Sequence, residues 1–141
     1  GQLEGQGNYA QARSIFLSIP AEDKGIPVSY YLRAQARGFS TLVREYEIAG
    51  NDDTARKALL ALFKENIEKL QAVLDEALKT KNLKAAGVAA LGLGQMHYNL
   101  DEYPKAAEVL KLFANELVDD EYYRCRGLGY LILAMVETKQ Y

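Results

Sequence analysis

The chain contains one histidine and one cysteine, the side chains that most often supply a metal ligand, a proton relay or a nucleophile. His97 has no second histidine or nearby cysteine with which to hold a metal ion. Cys125 lies between two arginines, but no histidine accompanies it to form a catalytic pair. We therefore expect His97 to pack or to form a local hydrogen bond, and Cys125 to be a structural or surface thiol. We expect no enzyme activity, no cofactor and no bound metal.

Other features resemble ligand sites in composition alone. The glycine-rich runs 92–95 and 127–129 fall inside predicted helices and do not follow strands, so we do not expect them to bind phosphate. Asp119, Asp120 and Glu121 lie between two predicted helices, where capping of a helix N-terminus explains carboxylates better than metal binding does. Two pairs of tyrosines are expected in the core, with a ligand platform as the alternative: Tyr30, Tyr31, Tyr122 and Tyr123.

Three arginines form the polar pattern that most favours binding. Arg33, Arg37 and Arg44 are four and seven residues apart, which places them on one stripe of a helix. Guanidinium groups bind carboxylates through paired hydrogen bonds, so the stripe suits an acidic or polar partner segment. The alternative is a solvated helix face with ion pairs to Glu45 or Glu47, and the sequence leaves both interpretations open.

The composition is that of an ordinary soluble globular domain, with 49% hydrophobic and 26% charged residues. A chain of 141 residues can bury a core of its own, so we expect a single domain over 1–141. The net charge of −2 argues against nucleic acid as a partner. No apolar run reaches the roughly 18 residues that a membrane span needs. A single cysteine is compatible with the cytoplasm, with the periplasm as the alternative.

The apolar residues recur every three or four positions, which predicts helices, and no segment alternates as a half-buried strand does. Gly50 is expected to end the second helix, and Asp52 or Asp53 to cap the third. Asp101 is expected to cap the fifth helix. The predicted helices cover 9–19, 28–50, 51–82, 84–100, 102–118 and 119–140.

One spacing of landmark residues occurs twice, with separations of four, nine and four. The two sets are Leu42, Tyr46, Ala55 and Leu59, and Leu93, His97, Ala106 and Leu110. Gly50 and Asp101 each precede the alanine by five residues and mark a turn. Partial copies occur at both ends of the chain, from Gly7, Tyr9, Ala12 and Phe16, and from Leu131, Met135 and Tyr141. Such repetition predicts stacked helical units.

This spacing resembles the tetratricopeptide repeat, a helix–turn–helix unit of about 34 residues with the pattern Trp-x2-Leu-Gly-x2-Tyr, then Ala-x3-Phe, then Pro. Leu93 and Gly94 match the Leu-Gly pair, and Tyr46 matches the tyrosine. Ala12 and Phe16 match the Ala-x3-Phe part. The resemblance covers nearly the whole chain, as two full and two partial units.

The chain departs from the family pattern in two respects. The residue types differ: Phe39 and Ala90 stand where the family has tryptophan, Val43 where it has glycine, and Leu59 and Leu110 where it has phenylalanine. The alanine landmarks Ala12, Ala55 and Ala106 are 43 and 51 residues apart, so the units are longer than usual. The long third helix accounts for much of the excess.

The resemblance implies an all-α fold in which antiparallel helix hairpins stack as a short right-handed α-solenoid. It also implies a protein-interaction scaffold that holds a partner peptide or helix in a concave groove lined by the first helix of each unit. The alternative is a structural segment of a larger assembly protein that packs against further repeats or associates with itself and has no separate ligand. The groove candidates are Arg33, Arg37, Arg44, Gln95, Tyr98, Asn99, Arg126 and Tyr130.

Overall fold

A computed structural model describes residues 8–19, 27–114 and 120–139, and within these ranges the chain is helical and has no strand. The all-α prediction is therefore confirmed, while the landmark residues Gly7 and Tyr141 and the proposed cap Asp119 lie outside the described ranges. None of the described helices is long and apolar enough to cross a bilayer. The α-helices are α1 (Tyr9–Leu17), α2 (Val28–Ala49), α3 (Asp53–Lys79), α4 (Leu83–Asn99), α5 (Tyr103–Leu110) and α6 (Glu121–Thr138).

Most helix ends follow the local signals in the sequence. Gly50 ends α2 with a φ of +56°, a backbone conformation that glycine adopts without steric cost. The Asp52 carboxylate accepts a hydrogen bond from the backbone N–H of Ala55 at 3.1 Å and so caps α3. Asp120 caps α6 in the same way, through the N–H of Tyr122 at 2.9 Å. These predicted boundaries and caps are confirmed.

The predicted cap of α5 is wrong, and residues 115–118 of this predicted helix lie outside the described ranges. Asp101 has a φ of +62°, and its carboxylate accepts a hydrogen bond from the Tyr103 hydroxyl at 2.8 Å. Glu102 takes the N-cap position without a side-chain hydrogen bond. The α-helix stops at Leu110 and continues as a 3₁₀ turn over Lys111–Phe113, because this tighter turn seats Phe113 against the backbone of Gly127.

Each of the six helices packs against the next one along the chain. In addition, α2 contacts α4 and α4 contacts α6, so α4 lies at the centre. Hydrogen bonds in the same order along both helices show that α2 and α4 run parallel. They join Asn82 to Ser29, Ser40 to Val88, and Gln95 to Glu47.

Small residues let α4 approach its neighbours closely. The helix buries four alanines completely, and a Cβ atom added at Gly94 would collide with the Leu110 side chain of α5. The predicted close contact at Gly94 is therefore confirmed. Leu110 and Phe113 are themselves fully buried on the other side of this contact. Because the packing here is close, any change of side-chain volume at this contact should affect stability.

His97 packs as predicted. Its side chain is 11% exposed, and its Nδ1 lies 2.9 Å from Oε1 of Glu102 in the turn that follows α4. Tyr46, at the corresponding place in the earlier unit, contacts the Phe63 ring at 5.6 Å between centroids and accepts a hydrogen bond from Arg56 at 2.6 Å. Both side chains thus fill space between two helices. Each also bonds to a residue just beyond its own helix, His97 to Glu102 and Tyr46 to Arg56 in the first turn of α3.

Candidate functional site

A groove of about 450 Å³ opens where α1, α2, α4 and α6 meet, and we call it the basic groove. Four predicted site residues line it: Arg37 and Arg44 from α2, Gln95 from α4 and Arg126 from α6. Gly92 lies between them on α4, where a Cβ atom would come within 2.5 Å of the Ser40 hydroxyl. The absence of a side chain at Gly92 therefore keeps the floor of the groove open.

A single carboxylate joins the three helices at one end of the basic groove. Arg126 Nη2 donates a hydrogen bond to Oε1 of Glu47 at 2.9 Å, and Gln95 Nε2 donates to the same oxygen at 3.4 Å. Arg44 Nη1 donates to Oε2 of Glu47 at 3.4 Å. Gln95 is only 4% exposed, so its amide is fixed by burial and aimed at this carboxylate. Arg44, Gln95 and Arg126 therefore form a site that already holds one carboxylate, that of Glu47.

The charge of the basic groove is opposite to that of the chain. Three guanidinium groups line it, and Glu47 is the carboxylate bonded to two of them, whereas the whole chain carries a net charge of −2. Burial lowers the pKa of Arg44, but its interactions with Tyr122 and Glu47 outweigh that effect and raise the pKa above its ordinary value. Arg44 is therefore positively charged at neutral pH.

Tyrosines complete the walls. A ligand platform is only the alternative prediction for Tyr122 and Tyr123, and the sequence does not predict Tyr9 as a site residue. Tyr9, Tyr122 and Tyr123 line the basic groove. Tyr122 is 50% exposed and its ring lies 5.6 Å from the Arg126 guanidinium carbon. The prediction of a core position is therefore wrong for Tyr122, and also for the exposed Tyr30, each of which lies in the first turn of its helix. The spacing of three and four residues before Arg126 was the available signal for the α6 pair.

The other four predicted site residues lie outside the basic groove. Arg33 stacks over Tyr30 at 5.8 Å near the start of α2, in a separate apolar hollow beside α1. Tyr98 and Tyr130 contact each other edge to face at 5.5 Å, between α4 and α6. Asn99 donates to the backbone carbonyl of Gln95 at 2.9 Å and so is used within α4. The structure therefore brings four of the eight predicted residues together in the basic groove and places the other four outside its lining.

The chemistry available in the basic groove is anion binding. It offers guanidinium, amide, hydroxyl and phenol groups beside an apolar strip from Val88 and Leu91. Across the part of the chain that the structure describes, no three histidines, cysteines or carboxylates lie together as a metal site. His97 is two residues from Gln95 on α4, about 200° around the helix, and so points away from the groove. Comparison with family models, with curated proteins and with solved structures gave no match for the chain.

Proposed function

We propose that the chain is a protein-interaction scaffold of the tetratricopeptide-like kind, a short right-handed α-solenoid that binds a partner segment in the basic groove. Three features support the repeat architecture. The alternating helices α2, α4 and α6 pack in one row, and the equivalent landmarks Leu42 and Leu93 are both buried. Positions that correspond in the repeat frame, Arg37, Val88 and Arg126, also line the same groove. A row of first helices with a shared lining is what such a scaffold requires.

The convergence of Arg37, Arg44 and Arg126 from two helices on one groove carries the functional proposal. Side chains that are distant in the sequence produce a local positive charge on a chain that is negative overall. Such a surface attracts an acidic segment, and the fixed fork of each guanidinium can bind a carboxylate with two hydrogen bonds. The tyrosines and the apolar strip supply contact area for the side chains between the acids.

We test this function with a fluorescein-labelled oligoglutamate peptide, whose binding to the folded protein is measured by fluorescence anisotropy. Arg37→Glu/Arg44→Glu should weaken binding by tenfold or more, which corresponds to about 1.4 kcal/mol. Lys64→Glu/Lys69→Glu makes the same charge change on exposed residues of α3 and should weaken binding far less. Equal losses in both double variants, each verified as folded by circular dichroism, would show that the groove is not the binding surface.

A second candidate function is a structural segment that packs against further helices. It is supported by three exposed apolar side chains on α6, Ile132, Leu133 and Val136, which no described helix covers. Replacing Ile132 and Val136 by lysine should then abolish assembly seen by analytical ultracentrifugation and leave oligoglutamate binding unchanged. A monomer at every concentration before and after the substitution would contradict this function.

A further inference from the structure

A second groove, of about 560 Å³, lies between α3 and α5 on the side of the molecule that His97 faces. We call it the acidic groove. Gln95 and His97 are about 200° apart around α4, so the two grooves lie on opposite faces of that helix. Nothing in the proposed function uses this second surface.

The floor of the acidic groove is apolar. Ile67, Leu74 and Leu78 provide it from α3, and Val109 and Leu112 provide it from α5 and the turn after it. Leu74 is buried, whereas the other four are only partly covered by the core. The floor therefore exposes apolar surface that a partner can cover, worth about 25 cal/mol for each Å² removed from water.

Carboxylates line the acidic groove on both sides of its apolar floor. Glu68 and Asp75 are seven residues apart on α3 and so share one face, while Glu102 and Glu108 stand on the α5 side. Lys105 is the only lysine or arginine among the lining residues in the described part of the chain, and its Nζ lies 3.8 Å from Glu102. Four acids against one base leave the rim strongly negative, in contrast to the basic groove.

The dimensions suit a helix. From Ile67 to Leu78 the floor follows α3 for eleven residues, which is about 16 Å or three helical turns. A helix lying in such a trough presents its apolar side chains at i, i+3 or i+4 and i+7 to the floor, and its flanking positions to the two walls. The residues that fit beside carboxylates on both walls are lysine and arginine.

We propose that the acidic groove binds a basic amphipathic helix of a partner protein. The apolar floor supplies affinity, and the two acidic walls select a helix with positive charges on both flanks of its apolar stripe. The same charge excludes nucleic acid and anionic membrane surfaces, which carry the sign of the walls. This inference goes beyond the proposed function, since it concerns a different face and a partner of opposite charge.

The probe is a fluorescein-labelled peptide of leucine and lysine whose leucines fall on one helix face. It should bind the folded wild-type protein, weaken steeply with salt, and gain helical signal on binding. A scrambled peptide of the same composition should bind at least several-fold more weakly, because its leucines do not share a face. Equal binding of the two peptides would overturn the proposal.

Charge reversal locates the site. Glu68→Lys/Asp75→Lys should weaken peptide binding by about tenfold, and Glu108→Lys on the opposite wall should weaken it as well. The matched control, Glu65→Lys/Glu76→Lys, changes the same charge at exposed positions of α3 that do not line the groove and should retain most of the binding. Equal loss in the control, or no loss in the groove variants, would overturn the proposal.

Two further outcomes separate this inference from its rivals. Unlabelled oligoglutamate should not displace the leucine–lysine peptide, since it has the charge of the walls and is assigned to the basic groove. A dimer that is dispersed by Glu68→Lys/Asp75→Lys would assign the acidic groove to a second copy of the chain and overturn the proposal. Loss of oligoglutamate binding in Arg37→Glu/Arg44→Glu bears only on the proposed function, so the two can fail independently.

Discussion

At the scale of single residues, Glu47 occupies the place where a ligand carboxylate would meet the basic groove. Its oxygens accept hydrogen bonds from Arg44, Gln95 and Arg126. An acidic ligand must therefore either bind beside Glu47 against its repulsion or replace it on the two arginines. Glu47 both organises the arginines and limits the affinity of the groove for anions.

Replacing Glu47 by glutamine should tighten oligoglutamate binding, because it removes the repulsion and keeps a hydrogen-bond acceptor for Arg126. We expect a gain of at least threefold, or roughly 0.6 kcal/mol. Glu45→Gln is the matched control, since it removes the same charge from a carboxylate that pairs with Arg13 at 3.1 Å. The measurement is anisotropy at constant salt, and an equal gain in both variants would mean that net charge alone is responsible.

His97 makes a second prediction at this scale. Tyrosine should be tolerated, with a change in the free energy of unfolding within about 1 kcal/mol, because Tyr46 fills the corresponding space in the earlier unit. Aspartate should destabilise the fold by about 1–3 kcal/mol, since it places a carboxylate beside Glu102 in a poorly solvated position. Urea denaturation measures both, and stoichiometric zinc bound through His97 would contradict the packing role.

At the scale of helices, close approach of α4 and α5 depends on Gly94. Gly94→Leu should cost about 1–3 kcal/mol, as overpacking does, because even a Cβ atom collides with Leu110. Gly129→Leu on α6 is the matched control, since nothing lies within 4 Å of a Cβ added there. That variant should be neutral or more stable, as leucine favours a helix over glycine. Melting temperatures that fall equally in both variants would show that steric contact is not the cause.

The sequence predicts helices well where their own periodicity and caps decide the outcome, as at Gly50 and Asp52. It fails at the end of α5, because the 3₁₀ turn depends on Phe113 reaching Gly127, a contact that only the tertiary structure creates. The same distinction applies to the basic groove. Arg37 and Arg126, which the predicted repeat frame relates, line the same groove.

Other groove residues were beyond prediction for related reasons. Tyr9 is on α1, whose approach to the groove depends on how α1 packs on α2. Tyr98 and Tyr130 do not line the basic groove, and their rings contact each other between α4 and α6. Helix spacing in the sequence defines which residues share a face, but it does not define which neighbour that face meets.

At the scale of the whole molecule, a net charge of −2 conceals two surfaces of opposite sign on either side of α4. Overall charge therefore says little about partners here. We expect the oligoglutamate and leucine–lysine peptides to bind at the same time, with a combined stoichiometry of two peptides per chain in isothermal titration calorimetry. Strict competition between them would contradict the separation of the two grooves.

Packing in which helices contact only their near neighbours along the chain also has a kinetic consequence. Local contacts make folding fast, and they let the structure open from its ends without loss of the centre. Amide hydrogen exchange should therefore be slowest in α4, which packs against α2, α3, α5 and α6, and fastest in α1 and α6. Both of these outer helices contribute walls to the basic groove, so a bound acidic segment should slow exchange most in α1 and α6. A bound segment would then hold α1 and α6 against the rest of the fold, and partner binding would lengthen the lifetime of the folded chain.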